Sequence, residues 1–310
     1  MRSSLLATCV TACALVGASF ALDSQASQPP AQREAQVFTA TNRIAVVGAS
    51  LSAGFRLDGN TDPFAVSKID LAKIVEASLT AKHEELSNQA SAAFFMDPQG
   101  SAQRGFEAIA EYKPTLVVAL DYLFWFGYGI KKEEQRVPAV ERALAALSKI
   151  ECPILLGDLP DMALASRTPD PVFGRPMLQK AMLPSVETLV LLNAKITEFA
   201  KAHPNVVVVP LAELTAKLQS DAEISLRGNT YPKGSIDMLM QGDRLHTTLE
   251  GTCAVWVVAV DAWIAHSKDV PASAFVLDTA KLAAKVRGTK KDAVPAGAPS
   301  GKVPETPAPK

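Results

Sequence analysis

Four short runs of uninterrupted aliphatic residues constrain this chain more than any other feature. They lie at residues 44–48, 116–120, 154–157 and 206–209, and the last is valine throughout. Each is too short for a typical helix and carries no alternating polar face, so each reads as a strand buried on both sides. A weaker strand is predicted at 85–88. Between the runs lie stretches with helical spacing at 64–82, 137–150, 186–202 and 249–265. In the first of these the apolar positions are Val66, Ile69, Leu71, Ile74, Val75 and Leu79. Strand and helix thus alternate along the body of the chain. That order predicts a parallel sheet with helices on both faces, a three-layer α/β/α sandwich forming one domain over residues 41–287. The 310 residues are 48% hydrophobic, enough for one large core. The net charge of −1 supplies no global basic field for nucleic acid.

The two ends differ from this body. Arg2, followed by an apolar stretch from Leu5 to Phe20 and small residues at Ser19 and Ala21, reads as a secretory signal over 1–21. An uncleaved anchor, or a lipobox at Val10-Thr11-Ala12-Cys13, are the alternatives. Residues 22–40, rich in Gln, Ser, Ala and Pro, read as a linker. Residues 288–310, rich in Lys, Ala, Pro and Gly, read as a disordered tail. The expectation is a periplasmic or extracellular monomer with no stable membrane span once processed. Cys152 and Cys253 would then be the remaining cysteines, read as two small buried residues, with a disulfide as the alternative. They make no zinc pattern, and neither metal nor cofactor is expected.

Two stretches carry chemistry. In the first, a buried strand runs into Gly48-Ala49-Ser50-Leu51-Ser52-Ala53-Gly54. Parallel sheets bind ligands beyond the carboxyl ends of their strands, which is where Ser50 falls. A dinucleotide fingerprint would need glycine where Ser50 stands, and a P-loop would need a lysine that is missing. An ordinary strand-to-helix turn remains the structural alternative. In the second stretch, Gly242-Asp243-Arg244-Leu245-His246 precedes Thr247 and Glu250, whose spacing predicts a capping box and a helix beginning at Thr248. His246 then lies in a loop with Asp243 three residues before it. A serine hydroxyl is a weak nucleophile that needs an adjacent base. Imidazole serves as that base when a carboxylate fixes its tautomer.

Together the two stretches resemble the SGNH (GDSL-like) hydrolase family of serine esterases and lipases. Gly48-Ala49-Ser50-Leu51 is similar to its G-D-S-L block, with Ala49 for the aspartate, and Asp243-Arg244-Leu245-His246 to its closing D-x-x-H block. The resemblance implies a flavodoxin-like five-stranded parallel sheet and an esterase mechanism without metal. It also implies Ser50 as nucleophile, His246 as base and Asp243 as the group that orients it. Two blocks depart from the pattern. The glycine whose amide serves the oxyanion hole corresponds to Ala90, so the backbone amides of Ser50 and Ala90 are the expected donors. The family's asparagine after the third strand is absent from Leu120-Asp121-Tyr122-Leu123-Phe124-Trp125. Asp121 should face the site, and Tyr122 and Trp125 are candidates for the substrate pocket or for local packing. The expected substrate is a small-molecule, glycan or lipid ester. The alternative is a non-catalytic binding module of the cell envelope on the same fold. His83, His203 and His266 read as structural, and 227–241 as a lid or rim of the site.

Overall fold

The computed structural model describes residues 39–59, 62 and 67–288. The expected signal (1–21), most of the linker and all but the first residue of the tail lie outside them, as does part of the helix expected at 64–82.

Five strands form one parallel sheet: β1 (Ile44–Val46), β2 (Ser87–Asn88), β3 (Leu116–Ala119), β4 (Ile154–Gly157) and β5 (Val206–Val209). Their spatial order is β2-β1-β3-β4-β5, with parallel pairing throughout. The aliphatic runs form the strands because nearly every residue in them is buried. The order runs outward from β1 in both directions, so the crevice between β1 and β3 is the topological switch point, where doubly wound sheets hold ligands.

Helices cover both faces. One face carries α1 (Leu71–Ser78), the long α8 (Leu249–His266) and the terminal α9 (Thr279–Arg287). The other carries α2 (Pro98–Tyr112), the single turn α3 (Phe124–Gly127), α4 (Arg136–Leu147) and α5 (Val186–Ala202). By length and composition α8 could cross a membrane. Here it is the core helix, buried almost all round, as a uniformly apolar helix must be in a globular protein. Its Trp256 donates from Nε1 to Ser78 Oγ at 2.8 Å, so the indole reaches the core with its polar atom satisfied.

The short α6 (Leu211–Gln219) follows β5 at once. The segment expected as a lid or rim, 227–241, holds β7 (Asn229–Tyr231), which pairs as a hairpin with the preceding β6 (Ile224–Leu226), and the short α7 (Ile236–Leu239). Cys152 and Cys253 are free, against the disulfide alternative. Burial pushes their thiols up to about 11 and about 12, so both stay protonated.

Candidate active site

The turn that carries Ser50 follows β1 and begins at Gly48. A side chain there would meet Asp121 Oδ1 at 2.1 Å and Ser52 Oγ at 2.6 Å, so only glycine allows the two strand ends to approach this closely. The turn then closes on itself, with Ala53 N–H donating to Ala49 O and Phe55 N–H to Ser50 O.

Asp121, at the end of β3, has a role that the sequence left undefined. Its carboxylate lies under the turn and accepts from the amides of Ala49 (3.0 Å), Leu51 (2.8 Å) and Ser52 (3.4 Å), and from Ser52 Oγ (2.6 Å). Burial pushes its pKa above the ordinary carboxylate value, and these four donors oppose that rise. Asp121 thus anchors the residues on either side of Ser50 and leaves the Ser50 amide between them without a partner among the described residues.

His246 and Asp243 lie on the loop between α7 and α8. Met240 bridges Thr247, and Gln241 N–H donates to His246 O at 2.7 Å, which closes the loop into a tight ring. Inside it, Asp243 Oδ1 accepts from the amides of Leu245 and His246, both at 3.0 Å. Oδ2 accepts from His246 Nδ1–H at 2.6 Å. Burial alone would raise the Asp243 pKa. The bonds and charge from His246 outweigh it and hold the carboxyl below its ordinary value. Asp243 therefore stays ionised, fixes the tautomer with hydrogen on Nδ1, and leaves Nε2 as the basic nitrogen.

Phe55 and Gln241 connect the two halves. The Phe55 ring lies 4.2 Å from the His246 ring, and Gln241 Nε2 donates to Phe55 O and Thr247 O, both at 2.8 Å. Ser50 and His246 line one cavity of about 80 Å³. No hydrogen bond joins Ser50 Oγ to His246 among the described residues. Such contacts often tighten only with substrate bound.

Not every expected site residue belongs here. The Ala90 amide donates to Asn88 Oδ1 at 3.0 Å and Ala90 does not line the cavity, so it is not a free oxyanion donor. Tyr122 and Trp125 line a separate groove of about 670 Å³ between α2 and α4, so neither is in the pocket of Ser50. Successive side chains at a strand end point to opposite sides. Asp121 turns under the Ser50 turn, while Tyr122 turns into the helix layer and donates to Ala143 O. Phe124, two residues on, does line the cavity. The helix cap is one residue later than expected: Thr248, not Thr247, accepts from Gly251 N–H, and α8 begins at Leu249. Thr247 instead pairs its hydroxyl with that of Thr252. His246 remains outside the helix either way.

Fold and site together define a three-layer α/β/α protein with a serine at the switch point that shares a cavity with a histidine–aspartate pair. No family model matches the chain, and no curated protein does. Among solved structures it is similar to a GDSL-like lipase from Bacteroides thetaiotaomicron, at 14% identity over 76% of this chain and 94% of that one, with a TM-score of 0.43. It is also similar to the esterase EstA from Pseudoalteromonas sp. (13%, 73% and 97%, TM-score 0.40). A catalytic mutant of an acetylxylan esterase from Geobacillus stearothermophilus is a third (11%, 73% and 93%, TM-score 0.42). At these identities the chemistry of this chain rests on its own residues.

Proposed function

We propose that this protein hydrolyses a carboxylic ester through an acyl-enzyme. The observation that carries the reading is the buried Asp243–His246 pair, bonded at 2.6 Å and sharing a cavity with Ser50. In this mechanism His246 Nε2 takes the Ser50 hydroxyl proton as Oγ attacks the ester carbonyl. The tetrahedral oxyanion is met by the Ser50 amide, which has no partner among the described residues. Collapse of the intermediate breaks the bond to the alcohol oxygen, which leaves with the proton that His246 returns. Water, deprotonated by the same nitrogen, then attacks the acyl-enzyme and releases the carboxylic acid.

One oxyanion donor is assigned rather than two. A missing donor typically costs about 2.7–4 kcal/mol in the barrier, or roughly 10²–10³ in kcat, so turnover should be slow. Covalent labelling tests the nucleophile without depending on that rate. A fluorophosphonate should label Ser50, and Ser50→Ala should abolish labelling. Folded wild type that stays unlabelled, where a control esterase reacts, would count against hydrolysis and for a crevice that only binds.

A further inference from the structure

Every large apolar side chain exposed among the described residues follows β2, β3 or β4, or stands on α7 beside the loop of His246. Phe95 follows β2, Ile130 follows β3, Val172, Phe173 and Val186 follow β4, and Met238 is on α7. None of them lies on the connections that lead back into the amino ends of the strands, where a random scatter would place some. They gather on the end of the sheet that carries Ser50. Gly129 N–H donates to Met182 O and Ser185 N–H to Glu133 Oε1, which sets Ile130 beside the start of α5. There Val186 and Val190, one turn apart, are 70% and 67% exposed. A soluble monomer rarely leaves a large apolar patch without a partner.

Val172 and Phe173 are held out by construction. Asp170, fully buried, accepts their two amides on Oδ1, both at 2.9 Å, and Arg56 Nη1 on Oδ2 at 2.7 Å. Its own amide donates to Arg175 O, and Gly174 N–H closes the turn on Asp170 O. The Arg56 guanidinium carbon lies 5.4 Å from the centre of the Phe173 ring. Burying a charged pair costs desolvation that its attraction barely offsets. What this pair secures is a turn that presents two apolar side chains to water.

Charge selects the partner. From Pro171 to Val186 the chain has no acidic residue, while Arg175 and Lys180 are exposed. The neighbouring Lys131 and Lys132 are balanced by Glu133 and Glu134, so the excess positive charge sits on this run. A second copy placed by two-fold symmetry would set these cations against their own equivalents. A layer of phosphates complements them.

We infer that this end of the molecule docks on the surface of an anionic phospholipid bilayer. Val172, Phe173 and Val186 enter the headgroup layer, and Arg175 and Lys180 meet its phosphates. Docking of this kind does not depend on hydrolysis.

Cosedimentation of the full chain with vesicles of phosphatidylcholine, and of an equimolar mixture with phosphatidylglycerol, tests it. The mixed vesicles should bind roughly tenfold more tightly or better, and added salt should weaken that binding. Val172→Ser with Phe173→Ser, and separately Arg175→Glu with Lys180→Glu, should each weaken it by roughly tenfold or more. Val172→Ser with Val186→Ser serves if the Phe173 variant fails to fold. Ser50→Ala should bind like wild type, so the outcome stands apart from any failure of Ser50 to label. No binding, equal binding to the two vesicles, or binding unmoved in the folded variants would overturn the proposal. So would a lipid-free dimer in sedimentation equilibrium that the Val172 and Phe173 changes dissolve, since the patch would then belong to a second copy.

Discussion

Asp121 and Asp243 are both buried carboxylates, yet their surroundings move them in opposite directions. Burial dominates at Asp121 and raises its pKa, while the bonds and charge from His246 prevail at Asp243 and lower it. Their linkages to stability therefore have opposite signs. The Asp121 contribution is fully present below the ordinary carboxylate value and declines as pH rises through the raised one. The Asp243 contribution is present above the ordinary value and is lost as pH falls through the depressed one. Comparing Asp121→Asn with wild type by denaturant unfolding across a pH series should isolate the first. The stability advantage of wild type should shrink as pH rises above about 4, the ordinary carboxylate value, and then level off. An advantage that grows with pH would refute this account. Of these residues, Ser50, Asp243 and His246 were legible because chemistry restricts them to a few residue types at short spacing. The task of Asp121 was not, because it bonds to backbone amides some seventy positions away. Nothing in the local sequence marks such a partner.

At the scale of elements, the buried strands were legible and one of the longest helices was not. The four aliphatic runs announce themselves because a strand covered on both faces has no polar position. By contrast α2 buries Ala102, Gly105 and Ile109, too few and too small to make an apolar stripe. Its signal lay instead at its start, where Pro98 occupies the first turn and Asp97 accepts from the Gly100 amide. The start of α8 bears on the candidate site as well as on folding, since the Thr248 cap sits two residues after His246. Thr248→Ala removes that cap and should cost about 1 kcal/mol by denaturant unfolding. A change near zero would mean that the helix start is held by packing alone.

At the scale of the molecule, the parallel architecture was legible from alternation alone, but the cavity was not. Its walls come from the loop after β4 and from α6, α7 and α8, and those residues look in sequence like ordinary core. Only packing distinguishes a gap from a contact. The same distance between sequence and space governs how the site comes together. The bond from Gln241 to Phe55 O spans 186 positions, and a closure of that span is made late and lost early compared with a local turn. Labelling of Ser50 should therefore vanish at or below the denaturant midpoint of the far-ultraviolet signal, and labelling that survives past it would contradict this coupling.

A growing polypeptide of this kind would expose its serine to the surroundings for most of synthesis with no imidazole to awaken it. If the proposed hydrolysis holds, the stitch by Gln241 makes reactivity a certificate of completion: until the last quarter of the chain has been made and has closed over the first, the hydroxyl at position 50 would be just another alcohol.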